Sequence, residues 1–169
     1  LHLGYHRNYL NVQVDDVFLP DSRWSSTHNC TPGDTPSCID ATATDIRMIP
    51  GDVDRLVGWQ NANDFTFDIV FNAQGSDSAI LANGSDPLTD AFLANKEHFT
   101  WVNHTYTHTF LGCIQIAPAT LNDTWRCAVP GDTGPYYDED VAGIFETTSG
   151  GVSWLSQAKI FSEISLNQL

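Results

Sequence analysis

Short apolar runs alternate with stretches of helical spacing along the first two thirds of the chain, and this alternation limits the fold more than any other feature. The run YLNVQV over 9–14 alternates apolar and polar residues and ends β-branched, which predicts a strand leading directly into Asp15 and Asp16. FTFDIVF over 65–71 predicts a second strand and FTWV over 99–102 a third. Val53, Leu56, Val57 and Trp59 recur near the helical period, so a helix is expected over 51–63. A turn at Asn83-Gly-Ser-Asp-Pro leads into a shorter helix over 87–96, with Pro87 near its first position and Leu88, Phe92 and Leu93 apolar. A last amphipathic helix is expected over 152–169, with Trp154, Ala158, Phe161 and Ile164 on one face. Strands that alternate with helices form βαβ units around a parallel sheet, and function collects where those strands end. A closed barrel of this type needs about 200–250 residues or more. With 169 residues and three clear strands, the expectation is an α/β fold, either a partial or distorted (β/α) barrel or a small open domain.

Residues 20–50 are rich in Pro, Ser, Thr, Asp and Cys and predict a long loop. Cys30, Cys38, Cys113 and Cys127 fall into two close pairs, neither with the C-x-x-C spacing of a zinc knuckle or redox motif. Of the three possible disulfide pairings, 30 with 38 and 113 with 127 is the most local, and four buried thiols are the alternative. Sequons at Asn29, Asn83, Asn103 and Asn122 point, like the cysteines, to a secreted chain, extracellular or in a cell wall. Asn103 borders a candidate metal ligand and is expected to stay unmodified, which leaves Asn29, Asn83 and Asn122 as glycosylation candidates. No run approaches the ~18 apolar residues of a membrane span. The absence of a leader pattern at Leu1 predicts either a removed signal or an excerpt of a longer protein. The net charge of −14 excludes a binder that works by neutralising nucleic-acid phosphates. Aspartate dominates the acids, which places much of the charge on caps and turns.

Two clusters carry candidate chemistry. On a continuing strand, Asp15 and Asp16 would point to opposite faces, so both serve one site only where the chain leaves the pleat. His104 and His108 follow the third strand in NHTYTH. An extended backbone would hold these imidazoles about 13 Å apart, too far to share an ion, whereas a helical turn brings i and i+4 within reach. The intervening Thr, Tyr and Thr favour strand, so local propensity argues against shared ligation. Together, one carboxylate and two imidazoles at one rim match a catalytic zinc site with an open fourth position. The spare aspartate would then serve as proton acceptor. His2, His6, His28 and His98 are expected to play no part in this chemistry. Trp24, Trp125, Tyr136 and Tyr137 could stack on sugar faces, although core packing or loop anchoring is the simpler role for any one of them. Trp59, Trp101 and Trp154 are expected in the core.

QVDDVF and HTYTH resemble the first two motifs of the NodB-type polysaccharide deacetylases. The wider contexts, YLNVQVDDVFLP and FTWVNHTYTHTFLGC, are most similar to the fungal and bacterial exopolysaccharide deacetylases that act on N-acetylgalactosamine polymers. The resemblance covers about residues 5–20 and 64–113. It implies a partial or distorted (β/α) barrel of NodB type with long disulfide-tied loops, spanning 1–169 as the N-terminal part of a catalytic domain. It further implies Asp15 as catalytic base, with Asp16, His104 and His108 as ligands of Zn2+ or another divalent transition metal. The implied reaction is hydrolysis of acetamides on an amino-sugar polymer of N-acetylgalactosamine or N-acetylglucosamine, by water that the cation activates. Val17 stands where the family has glycine, and the family's base-orienting arginine and general-acid histidine have no match before Leu169. Both are therefore expected outside this chain. Deacetylation produces amines, so an acidic surface would suit a polymer that turns cationic as it is processed. Two other readings fit the same residues, a glycoside hydrolase using a carboxylate pair and a non-catalytic carbohydrate-binding domain.

Overall fold

A computed structural model describes residues 10–32, 38, 40, 42, 44–116, 126–136, 145–147 and 151–168. Its centre is a parallel three-stranded sheet of β1 (Gln13–Val17), β4 (Asp68–Phe71) and β5 (Thr100–Asn103), in that spatial order. Between β1 and β4 lie β2 (Asp21–Ser22), β3 (Asp45–Ile46) and helix α1 (Pro50–Asn63). Between β4 and β5 lie α2 (Ala73–Asn83), α3 (Pro87–Ala94) and a 3-10 turn at Lys96–His98. Parallel neighbours joined through helices are the βαβ units that the alternation predicts. Among the described residues the sheet is open, with β1 and β5 at its edges.

Local chemistry accounts for the helix starts. Pro50 opens α1, and the Asp52 side chain accepts from Ile49 N at 3.0 Å. Asp86 caps α3 by accepting from Leu88 N, and Pro87 takes the first helical position. β4 is β-branched and buried through Ile69, Val70 and Phe71. Around it, Val17, Phe18, Val53, Leu88, Phe92 and Phe99 form the main core. Trp101 makes edge-on contacts with Phe71, Phe92 and Phe99.

A second, smaller core of Ile114, Ala128 and Leu155 lies between β6 (Gln115–Ile116), β7 (Arg126–Cys127) and β9 (Ser153–Leu155). β9 also pairs with β8 (Phe145–Thr147). Helix α4 (Gln157–Leu166) follows, with Ile160 against this core. Both local disulfides are present, Cys30–Cys38 with Cα atoms 6.0 Å apart and Cys113–Cys127 at 5.6 Å. No described helix is long and apolar enough to cross a membrane.

Several expectations need correction. The first strand does not stop before the aspartates: β1 carries them, and Leu10–Val12 precede it. Helix α2 forms in a stretch with no helical expectation. The span from 152 divides into β9, where Trp154 is exposed, and α4, which is turned over, with Phe161 and Ile164 exposed and Glu163 and the following Asn167 buried. Trp59 is also exposed, meeting Phe65 edge-on and Phe67 at a tilt.

Candidate metal centre

The C-terminal ends of all three parallel strands converge on one site. In the β1–β4 ladder, Val14 pairs with Ile69 and Val17 with Phe71, so Asp15 and Asp16 together oppose the single residue Val70. This is a β-bulge, which re-aims side chains at the cost of regular pairing. Asp16 takes a left-handed φ of 52°, a conformation that Asp tolerates better than most residues. The chain thus leaves the pleat, and both carboxylates face one imidazole: His104 Nε2 lies 3.6 Å from Oδ1 of Asp15 and of Asp16. Asp15 Oδ1 also accepts from Asp16 N at 3.0 Å, which orients the carboxylate.

At the end of β5, His104 N donates to Phe71 O at 3.2 Å and the chain then doubles back. Thr105 and His108 have φ of 69° and 66°. Left-handed conformations at such residues cost of order 1–3 kcal/mol each and persist only where surroundings impose them. Their effect is to bring the two imidazoles to a centroid separation of 4.9 Å. His108 Nε2 stands 3.3 Å from Asp16 Oδ1.

One observation tests whether these residues fit a cation. Asp16 Oδ1 is buried and accepts no hydrogen bond, although two imidazoles adjoin it. Ligand atoms from Asp16, His104 and His108 all lie within 4.8 Å of one another. Around a tetrahedral zinc with bonds near 2.0–2.1 Å, ligand atoms stand about 3.3–3.4 Å apart. The 3.3 and 3.6 Å edges at Asp16 Oδ1 are close to that spacing. Two imidazole nitrogens and one carboxylate oxygen suit zinc or a related transition metal and leave a coordination position open. The residues fit the ion.

Sequence reasoning missed the polar residues beneath the ligands. Asn72, fully buried just after β4, donates to the carbonyls of His104 and Thr105 at 2.6 and 2.8 Å. Asn167 accepts from Ala73 N at 2.6 Å and donates to Phe71 O and Asn103 Oδ1 at 2.9 Å each. Asn103 donates to the carbonyls of Ile164 and Asn167 at 3.1 and 3.2 Å, so its amide nitrogen is engaged with α4. Glu163 accepts from Thr107 N and Thr107 Oγ1 at 2.8 and 2.9 Å and pairs with Lys159 at 2.7 Å. Burial pushes the Glu163 carboxyl up, but the Lys159 and Thr107 hydrogen bonds outweigh it and hold the group below the usual range. The Tyr106 hydroxyl donates to Asp77 at 2.8 Å, and that bond raises its pKa. A usable signal existed for Asn72, a polar residue directly behind an apolar strand at the end that also carries the Asp pair. Glu163 and Asn167, four apart at the end of α4 and its cap, look in sequence like a solvent-facing stripe.

The remaining candidates lie elsewhere. His98 sits on the 3-10 turn before β5, at the far end of the sheet. Ser25, His28 and Asp40 approach one another away from this centre: the Ser25 hydroxyl donates to Asp40 at 2.6 Å, accepts from His28 N at 3.2 Å and lies 3.1 Å from His28 Nδ1, contacts that close a turn. Trp24 is exposed. Tyr136 packs on the second core with its hydroxyl donating to Asp132 O, an anchoring role. Asn29 and Asn83 are exposed. His2, His6, Asn122, Trp125 and Tyr137 lie outside the described residues. No family model, no curated protein and no solved structure matches the chain.

Proposed function

We propose that this chain carries the metal-binding part of a secreted, divalent-metal-dependent hydrolase that removes N-acetyl groups from an amino-sugar polymer, on a partial barrel of NodB type. The observation that carries the reading is the buried, unpartnered Asp16 Oδ1 set between His104 Nε2 and His108 Nε2. A divalent cation held there supplies Lewis acidity toward water and the acyl oxygen. Asp16, His104 and His108 hold it and leave one side open. Asp15 is the neighbouring exposed carboxylate, oriented by Asp16 N, and takes the proton from the attacking water. Support for the compartment comes from the two disulfides, which persist in oxidising surroundings.

The test is acetate release from N-acetylgalactosamine and N-acetylglucosamine polymers by the parent protein, alongside metal analysis. We expect about one zinc-type ion per chain, and acetate release that falls by at least ~100-fold in Asp15→Asn while the ion stays bound. Shortened polymer without acetate would assign the site to glycoside cleavage instead. Sugar binding unaltered in His104→Ala, with no hydrolysis in either protein, would assign the chain to carbohydrate binding.

A further inference from the structure

The loop that carries both imidazoles is held from one side by α4. Thr107, the residue before His108, gives its N–H and its hydroxyl to the two oxygens of Glu163 at 2.8 and 2.9 Å. Tyr106 N donates to the Glu163 carbonyl at 2.9 Å. On the other side of His104, Asn103 donates to the end of the same helix. The His104–His108 span is thus pinned at both ends to one element. Between the pins, Thr105 and His108 hold left-handed conformations that their own preferences oppose.

Glu163 is 1% exposed. A buried ion pair is a weak device for stability, since a well-packed apolar pair often serves as well. Its better-attested use is to fix one arrangement among several. The carboxylate with Lys159 is the only pair among the described residues in which a buried acid on α4 meets the ligand loop. We propose that Glu163 is a positioning residue for the metal centre: through Thr107 it sets the distance between His104 and His108, and hence the affinity and geometry of the ion. This rests on the metal-centre reading above.

Cobalt(II) serves as the probe, because its visible absorption reports coordination geometry directly. The whole chain is titrated with Co2+, and zinc affinity follows by competition, for wild type, Glu163→Gln, Thr107→Val and the double variant. Residues that orient ligands typically contribute about 10–100-fold in metal affinity. Each single variant is expected to weaken Co2+ binding about tenfold and to alter the band positions or intensities. The loss in the double variant should fall well short of the sum of the two single losses, since both changes act on the same hydroxyl–carboxylate contact. Should Glu163→Gln not fold, Thr107→Val, which loses a hydroxyl alone, decides the matter. Wild-type affinity and an unchanged spectrum in the folded variants would overturn the positioning role and leave the metal centre standing. A wild type that binds neither Co2+ nor zinc would overturn both.

Discussion

Arg47 touches no candidate ligand, yet it fixes the chain just beyond Asp16. Its Nε donates to Phe18 O at 2.6 Å, and its two terminal nitrogens grip Asp86 at 2.8 and 2.7 Å. Thr89 donates to the same carboxylate at 2.6 Å, beside the Leu88 N–H that it caps. Phe18 has a φ of 89°, so the arginine secures a backbone conformation that phenylalanine does not choose for itself. Removing one half of such a largely buried pair costs about 3–5 kcal/mol, because the other charge is left without a partner. Arg47→Met is therefore expected to lower urea stability by about that amount at neutral pH. Burial pushes the Asp86 carboxyl up, but the hydrogen bonds from Arg47 and Thr89 more than reverse this and hold it below the ordinary range. A carboxyl depressed in the folded state stabilises above its unfolded value, near pH 4, and loses that contribution as pH falls through the folded value. Urea midpoints measured into acid should accordingly fall more steeply for wild type than for Arg47→Met. At this scale the chemistry was legible and the geometry was not. Asp15, Asp16, His104 and His108 stand out by residue type, but Thr-Tyr-Thr favours an extended chain, and only tertiary contacts with Glu163, Asn72 and Asn167 fold it back.

Among the elements, those with strong local signals form close to where the sequence places them. α1 and α3 have proline starts, with an aspartate accepting a backbone N–H at each, Asp52 in the first turn of α1 and Asp86 as the cap of α3, and β4 is a β-branched run. α2 has neither advantage, with glycine, serines and aspartate along AQGSDSAILAN, and its buried face consists of the small residues Ala73, Gly75 and Ser76. Gly75 shows why they are small: a Cβ there would collide with the Phe18 carbonyl, the same oxygen that Arg47 holds. Gly75→Ala is expected to destabilise by about 1–2 kcal/mol, the crowding outweighing the gain in helix propensity. Gly58→Ala, in α1 with open space around it, should stabilise by about 0.5–1 kcal/mol. Equal effects in denaturant unfolding would show that the β1–α2 contact gives way freely. α4 was misread for a related reason. Periodicity locates a helix's two faces, but which face turns inward depends on what waits there, and here it is a loop in need of hydrogen-bond acceptors.

At the scale of the molecule, the two cores among the described residues are joined by α4 and its cap: Ile160 packs on one, and Asn167 reaches Ala73 of the other. The alternation of strands and helices conveyed the parallel sheet. It did not convey the second core, whose strands of two or three residues are too short to leave a pattern. The sheet is bordered by apolar hollows, one of about 510 Å³ between Val14, Met48, Leu56, Trp59 and Phe67, another of about 230 Å³ beside Trp101 and Leu93. With Phe161 and Ile164 also outward, the described surface offers several places where copies of the chain could adhere. The net charge of −14 opposes this at neutral pH. Light scattering should therefore find single molecules at low ionic strength, and growing association as salt is added or as pH falls toward about 4. Mutual repulsion between molecules is thus expected to decide whether these flanks adhere: the aspartates would act as a colloidal stabiliser that answers to titration more than to packing.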